Sequence, residues 1–232
     1  MIWAGPLVSV SPPRVAMRCL IVLVALAAAG CDVGTDPPPE PPPRPPATFR
    51  VTFDATWSAA THPEAFPADP HFSRLTGAVH AVGIVLWSDG TPASNGVRQV
   101  AETGGTSGLR AEVEGLGRAA EAVEAGPIRP SPGRVTVEVG VSDERPLVTL
   151  VSMLAPSPDW FVGVSGLDLR RGDGWADRVV VPLEVYDAGT DDGDSYTAAD
   201  APRPMRTPVS PTFYGPLARS TVGTLTFERV GE

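Results

Sequence analysis

From Thr48 onward the chain alternates: in "FRVTFDATWS" the apolar side chains Phe49, Val51, Phe53, Ala55 and Trp57 fall on one face, and polar residues fill most of the other. A period of two is the signature of a half-buried strand. Runs rich in β-branched residues and bounded by Gly, Pro, Asp or Ser recur as "AVHAVGIVLWS" near residues 78–88, "RVTVEVGVS" at 134–142, "LVTLVSML" at 147–154, "RVVVPLEVY" at 178–186 and "VGTLTFERV" at 222–230. Many strands with turn-rich connections predict an all-β fold, a sandwich. Only "VRQVAETG" and "LRAEVEGLGRAAEAVEAG", between residues 97 and 126, read as helical, and Gly115 and Gly117 weaken the second. Helix is a minor component.

Upstream of Thr48 the pattern is different. "MRCLIVLVALAAAGC", Met17 to Cys31, has one arginine, an apolar run and then small residues ending in Gly-Cys. The run is short for a membrane span and fits the h-region of a secretory signal. Its end, "LAAAGC", resembles a bacterial lipobox, in which Ala28, Ala29 and Gly30 fit the signal peptidase and the Cys31 thiol receives a diacylglycerol. Residues 1–30 are thus expected to be a signal peptide, with Met17 as the true start because residues 1–16 form no n-region. Residues 31–47 are then the lipidated cysteine and a tether, and 48–232 the folded domain. The tether's "DPPPEPPPRPP", Asp36 to Pro46, lacks amide donors and favours the extended polyproline conformation, holding the domain roughly 30–35 Å from the lipid. The domain is expected to be extracytoplasmic and held to a membrane by its N-terminal lipid.

Composition removes several function classes. The chain has 232 residues, 42% hydrophobic and 19% charged, which is ordinary for a folded protein. Arginine is its only strongly basic residue and the net charge is −9, so the basic clusters that hold a phosphate backbone are missing and nucleic acid is excluded as a partner. Its two cysteines, Cys19 and Cys31, both precede the tether. The mature domain then has no thiol for a disulfide, a nucleophile or a zinc site. His62, His71 and His80 are nine residues apart, without the short spacing of a zinc motif, and read as turn or strand-end histidines. No G-x-S-x-G elbow or phosphate-cradling glycine loop occurs, and the "RGD" at Arg171–Asp173 reads as a chance tripeptide.

Two segments carry candidate chemistry. "SMLAPSPDWFVG", Ser152 to Gly163, ends a strand in a proline-kinked loop that presents Asp159 beside Trp160 and Phe161. "DAGTDDGDSYT", Asp187 to Thr197, puts four aspartates and two glycines into eleven residues where the strand "VVVPLEVY" runs out. So many carboxylates repel one another unless water or a cation separates them, so the run is either a solvated loop or one side of a metal site. An oxygen-only donor set on loops suits calcium, with Asp159, Asp187 and Asp191 as carboxylate ligands and Gly189 and Gly193 letting the backbone turn tightly. The D-x-D-x-D-G spacing of an EF-hand is absent.

Together, "ATWSAATHPEAFPADPHFSRLTGAVHAVGIVLWSDGTPASNGVRQVAETG", "SMLAPSPDWFVGVSGLDL", "GWADRVVVPLEVYDAGTDDGDSY" and "GTLTFERV" resemble, in this order, the spondin domain shared by F-spondin and mindin. The resemblance covers about Thr48 to Val230. It implies an antiparallel β-sandwich similar to calcium-dependent membrane-binding domains, and a Ca2+ ion held by Asp159 in "SPDW" and by Asp187 and Asp191 in "DAGTD". Animal members carry cysteines after the "SPDW" loop where this chain reads "LDLRRGDGW", so packing alone must hold that loop here. Asp192 stands where the motif commonly has serine, and Asp192 and Asp194 are expected to face solvent. Trp57, Trp87, Trp160 and Trp175 read as core or loop anchors.

Three functions fit these readings. The first is a lipid-tethered adhesion or ligand-binding module, not an enzyme, in which calcium fixes two loops to preform a surface for a protein, glycan or lipid ligand. The second is a structural envelope protein. The third, a calcium-dependent hydrolase, lacks a visible nucleophile and base.

Overall fold

The computed structural model describes residues 42–212, 217–218 and 220–231. The expected signal peptide at 1–30, the lipidated Cys31 and the tether up to Pro41 lie outside the described residues. No helix among the described residues is long and apolar enough to cross a membrane.

Among the described residues, twelve strands and two α-helices follow in order: β1 (Ala47–Ala55), β2 (His71–Phe72), β3 (Thr76–His80), α1 (Asn95–Thr103), α2 (Ser107–Glu114), β4 (Ala120–Glu124), β5 (Gly133–Val141), β6 (Leu147–Ala155), β7 (Trp160–Asp168), β8 (Arg170–Arg171), β9 (Gly174–Trp175), β10 (Arg178–Asp187), β11 (Ser210–Pro211) and β12 (Thr221–Gly231). The principal sheet runs β4-β3-β6-β7-β10-β12-β1-β5, with β2 beside β6 and β11 beside β10. Every pairing in it is antiparallel. The sheet folds over on itself at the β7–β10 junction, and its two halves bury their inner faces in one core that joins Phe49, Val51 and Phe53 to Leu150, Leu154 and Val162. This is the antiparallel sandwich expected.

The alternation of β1 places its apolar residues as read: Phe49, Val51, Phe53, Ala55 and the following Trp57 are all buried. On the outer face, opposite charges meet across the ladder. Arg50 faces Glu138 and Asp54 faces Arg134 in the register of β1 with β5, and both pairs form ion pairs. Such cross-strand pairs favour this register over a slip of one residue, which would turn the apolar set outward.

β6 does not alternate, and every residue from Val148 to Ala155 is buried. A strand apolar on both faces needs a cover on its outer side. α1 supplies it: Val97, Val100 and Ala101 pack with Val151, Phe161 and Trp87 in a second cluster outside the sandwich. The Ser94 hydroxyl caps α1 by accepting from the Val97 amide at 3.1 Å. α2 is locked to the same end, because the Glu112 carboxylate accepts the Ser94 hydroxyl at 2.6 Å and the Gly96 amide at 2.7 Å. The helices touch so closely that a Cβ on Gly96 would lie 2.5 Å from the Leu109 Cα.

Two local expectations are corrected, and a third is sharpened. The strand read near residues 78–88 stops at His80, because Gly83 takes φ 88° and the apolar residues beyond it face water, Val82 at 64% and Val85 at 67% exposure. The helix read into residue 126 ends at Glu114, and Gly117 turns the chain at φ 58° so that Ala120–Glu124 joins β3 as a strand. The loop read as presenting Asp159 beside Trp160 and Phe161 ends at Asp159, and both aromatics open β7 and are buried.

The end of the predicted tether belongs to the folded unit, which begins at Pro42. Arg44 donates from its amide and its guanidinium to the two Asp143 oxygens, each at 2.7 Å, and to the Gly172 carbonyl at 2.7 Å. The Trp175 indole donates to the Pro45 carbonyl at 2.8 Å. The β8–β9 hairpin, which carries the Arg171–Asp173 tripeptide at its exposed tip, is thereby held without a disulfide.

Candidate metal-binding loops

The β6–β7 loop and the segment after β10 meet at one end of the sandwich. Asp187, the last residue of β10, is the register partner of Trp160, the first of β7. Asp159 precedes Trp160, and its carbonyl accepts the Ala188 amide at 3.1 Å. Residues 28 positions apart in sequence thus become neighbours through a two-strand ladder.

The Asp159 side chain is fully buried. Its Oδ2 accepts three hydrogen bonds from the opposite loop: the Thr190 amide at 2.7 Å, the Thr190 hydroxyl at 3.0 Å and the Asp191 amide at 3.0 Å. Its Oδ1 is buried with no hydrogen-bond partner among the described residues. Burial, and then the Asp187 charge, push the Asp159 carboxyl up to about 6 despite those three donors. Burial also raises Asp187, whose Oδ1 accepts the Gly189 amide at 2.6 Å.

Asp191 closes its own loop. Its oxygens accept the Gly193 and Ala201 amides, each at 2.8 Å, and the residue is buried. Gly189 permits the turn between the two acids: it takes φ 72°, and a Cβ there would lie 2.2 Å from the Thr207 carbonyl oxygen. Tyr196 pins the far end of the segment under Trp57 and Trp160, with ring centres 5.5 and 5.7 Å apart.

The fold therefore brings Asp159, Asp187 and Asp191 to one end. It does not converge them on a point, because Asp191 is turned to backbone amides, and among the described residues no set of three or more His, Cys, Asp or Glu side chains is arranged to hold a metal ion. The chemistry still suits a hard cation: the donors are oxygens, and the buried Asp159 Oδ1 has no compensating partner. Asp192 and Asp194 are exposed, as expected. Arg203 is the residue that sequence reasoning missed. It donates from Nε to Asp192 at 2.6 Å; burial works to lower its pKa, but that hydrogen bond and the Asp187, Asp192 and Asp159 charges raise it on balance. Its only signal was an arginine following an acidic run.

The other candidates settle as read. His80 is buried with Nε2 2.8 Å from the Thr149 hydroxyl, His71 Nδ1 lies 2.8 Å from the Asp69 carbonyl, and His62 Nδ1 lies 2.9 Å from the Thr61 hydroxyl. All four singled-out tryptophans, Trp57, Trp87, Trp160 and Trp175, are buried.

The Spondin_N family model matches residues 47–213, a span that holds β1, the helices and both acidic loops. The chain belongs to the spondin family. Human spondin-2 is 37% identical over 148 residues, covering 61% of this chain and 45% of the relative. Spondin-1 of Gallus gallus is 36% identical over 181 residues, covering 68% of this chain and 22% of the relative. This spondin-family chain spans less than half the length of those curated relatives.

Proposed function

We propose that this spondin-family chain is a lipid-anchored, extracytoplasmic, calcium-binding module for adhesion or ligand binding, without catalytic activity. The observation that carries the calcium reading is the buried Asp159 Oδ1, unpaired beside a second half-buried acid. Asp159 and Asp187 would hold the ion, with Asp191 shaping the loop through its two amide bonds and offering its remaining lone pairs. Bound calcium would supply the positive charge that both carboxylates need once removed from water, fixing the two loops against each other. Family membership supports an extracellular binding role, and "LAAAGC" with Cys31 supports the anchor, the membrane being one partner and a protein, glycan or lipid the other.

A second reading rests on Arg203. Its guanidinium, bonded to Asp192 and within the field of Asp187 and Asp159, offers a cation of the chain's own, as a metal-independent structural module would need. Thermal unfolding with excess calcium and with chelator separates the two. A ligand at about a hundred times its dissociation constant adds roughly 2.7 kcal/mol, which moves the midpoint by several degrees. Calcium is expected to raise the wild-type midpoint and not that of Asp159→Asn combined with Asp187→Asn, which keeps the loop's shape. Identical curves for the wild type with and without calcium would leave the Arg203 reading standing.

A further inference from the structure

β7 and β10 are hydrogen-bonded neighbours only where Trp160–Val162 faces Val185–Asp187. Beyond that the strands part: β7 continues on β6 alone and β10 on β12 alone. Among the described residues no backbone hydrogen bond links 163–168 to 178–184, so each strand keeps an edge that faces the other unpaired. Between them lies a groove of about 540 Å³, walled by both strands and by the Trp87–Asp89 turn. It is separate from the acidic loops.

The groove has a definite chemistry. Its aromatic end is built from Trp87 and Tyr186, whose rings are 5.0 Å apart, with Phe161 stacked behind Tyr186 at 5.7 Å. Leu167, Val181 and Pro182 give it an apolar wall. The charged side chains that line it, Asp89 and Glu184, are both acidic and exposed, and neither forms an ion pair among the described residues. Both carboxylates line the same groove as the Tyr186 ring. An unpaired strand edge takes a further extended segment, an electron-rich ring with carboxylates beside it takes a cation, and an apolar wall takes aliphatic side chains. No basic residue of the described chain lines the groove to supply that cation.

We propose that this groove is a docking site for an extended segment of a partner polypeptide that lies along the unpaired edge of β7 and seats a basic side chain against Asp89, Glu184 and the Tyr186 ring. The site is independent of the calcium reading.

The test uses the full chain, titrated calorimetrically with the peptide acetyl-Val-Arg-Val-Arg-Val-amide in calcium and in chelator. The arginine peptide is expected to bind saturably in both buffers, and its glutamate counterpart not to bind. Asp89→Asn combined with Glu184→Gln should weaken binding at least about tenfold. Glu114→Gln combined with Asp173→Asn, which removes the same charge from exposed positions outside the groove, should leave it unchanged. N-methylation of alternate peptide amides should abolish binding by removing the ladder donors. Failure to saturate at millimolar peptide, equal binding of the glutamate peptide, or equal weakening by both charge pairs would overturn the proposal. Binding that survives N-methylation on both registers would overturn the placement on the β7 edge.

Discussion

Asp159 holds two opposed environments on one carboxyl group: three donors on Oδ2 and none on Oδ1. Its raised pKa has a definite sign for stability. The folded state keeps the proton up to about pH 6, whereas the unfolded chain releases it near the ordinary aspartate value, so the folded state binds more protons in between. Stability from this group therefore falls as pH rises through that window. Urea denaturation in chelator at pH 5 and pH 7.5 should show the wild type losing about 1.4 kcal/mol relative to Asp159→Asn. Subtracting the variant is necessary because Asp168 and Asp143, lowered by hydrogen bonds from arginines, and Glu124, lowered against its burial by hydrogen bonds from Thr106, Arg110 and Arg74, act in the opposite sense in acid. Calcium at pH 7.5 should reverse the difference. At the same scale, Trp175→Phe removes the indole donor to Pro45 and should cost about 1 kcal/mol by the same measurement.

At the scale of elements, α1 and α2 act as one cover for β6, joined by the Glu112 carboxylate and by the Gln99 side-chain oxygen, which accepts the Gly108 amide at 2.6 Å. Glu112→Ala leaves the Gly96 amide and the Ser94 hydroxyl without their acceptor and should cost about 1.5–3 kcal/mol. Gly96→Ala should cost about 1–3 kcal/mol through overpacking, since the Leu109 backbone has nowhere to retreat. Chemical denaturation of each variant checks both. β1, β5, β10 and β12 could be read in the sequence because one face of each meets the core and the other meets water, which leaves alternation behind. β4 was hidden because its "AEAVE" is made of good helix formers, and pairing with β3 overrides that propensity. Val82 and Val85 misled for the converse reason: they are strand formers that pair with nothing. The acidic loops were legible as a concentration of charge with glycines, and the motif gave the three aspartates. The division of labour among them was not, because it depends on which amides each oxygen meets across a ladder formed by residues far apart in sequence.

For the whole folded unit, which begins at Pro42, β1 starts at Ala47 near one end, and the acidic loops lie at the opposite end. β1 runs from one end to the other, about 25–30 Å for its nine residues. The Arg44 and Pro45 contacts make residues expected to belong to the tether part of the entry end. A chain begun at Ala47 should melt about 2–6 °C below one begun at Pro42, as differential scanning calorimetry would read.

That entry point also sets how the molecule bears a load. Were the chain anchored at its N-terminal end and holding a partner, as proposed, the pull would arrive along β1, which is flanked by β12 on one side and β5 on the other. Ladder hydrogen bonds run across the strands, so a force along the strand shears many of them together instead of peeling them one by one. The first structure to yield would be the clasp of Arg44 on Asp143 and Gly172, which lengthens the leash by a few residues while leaving the sandwich whole. Under such a load the clasp would serve as a shock absorber in series with the rivet of the sandwich.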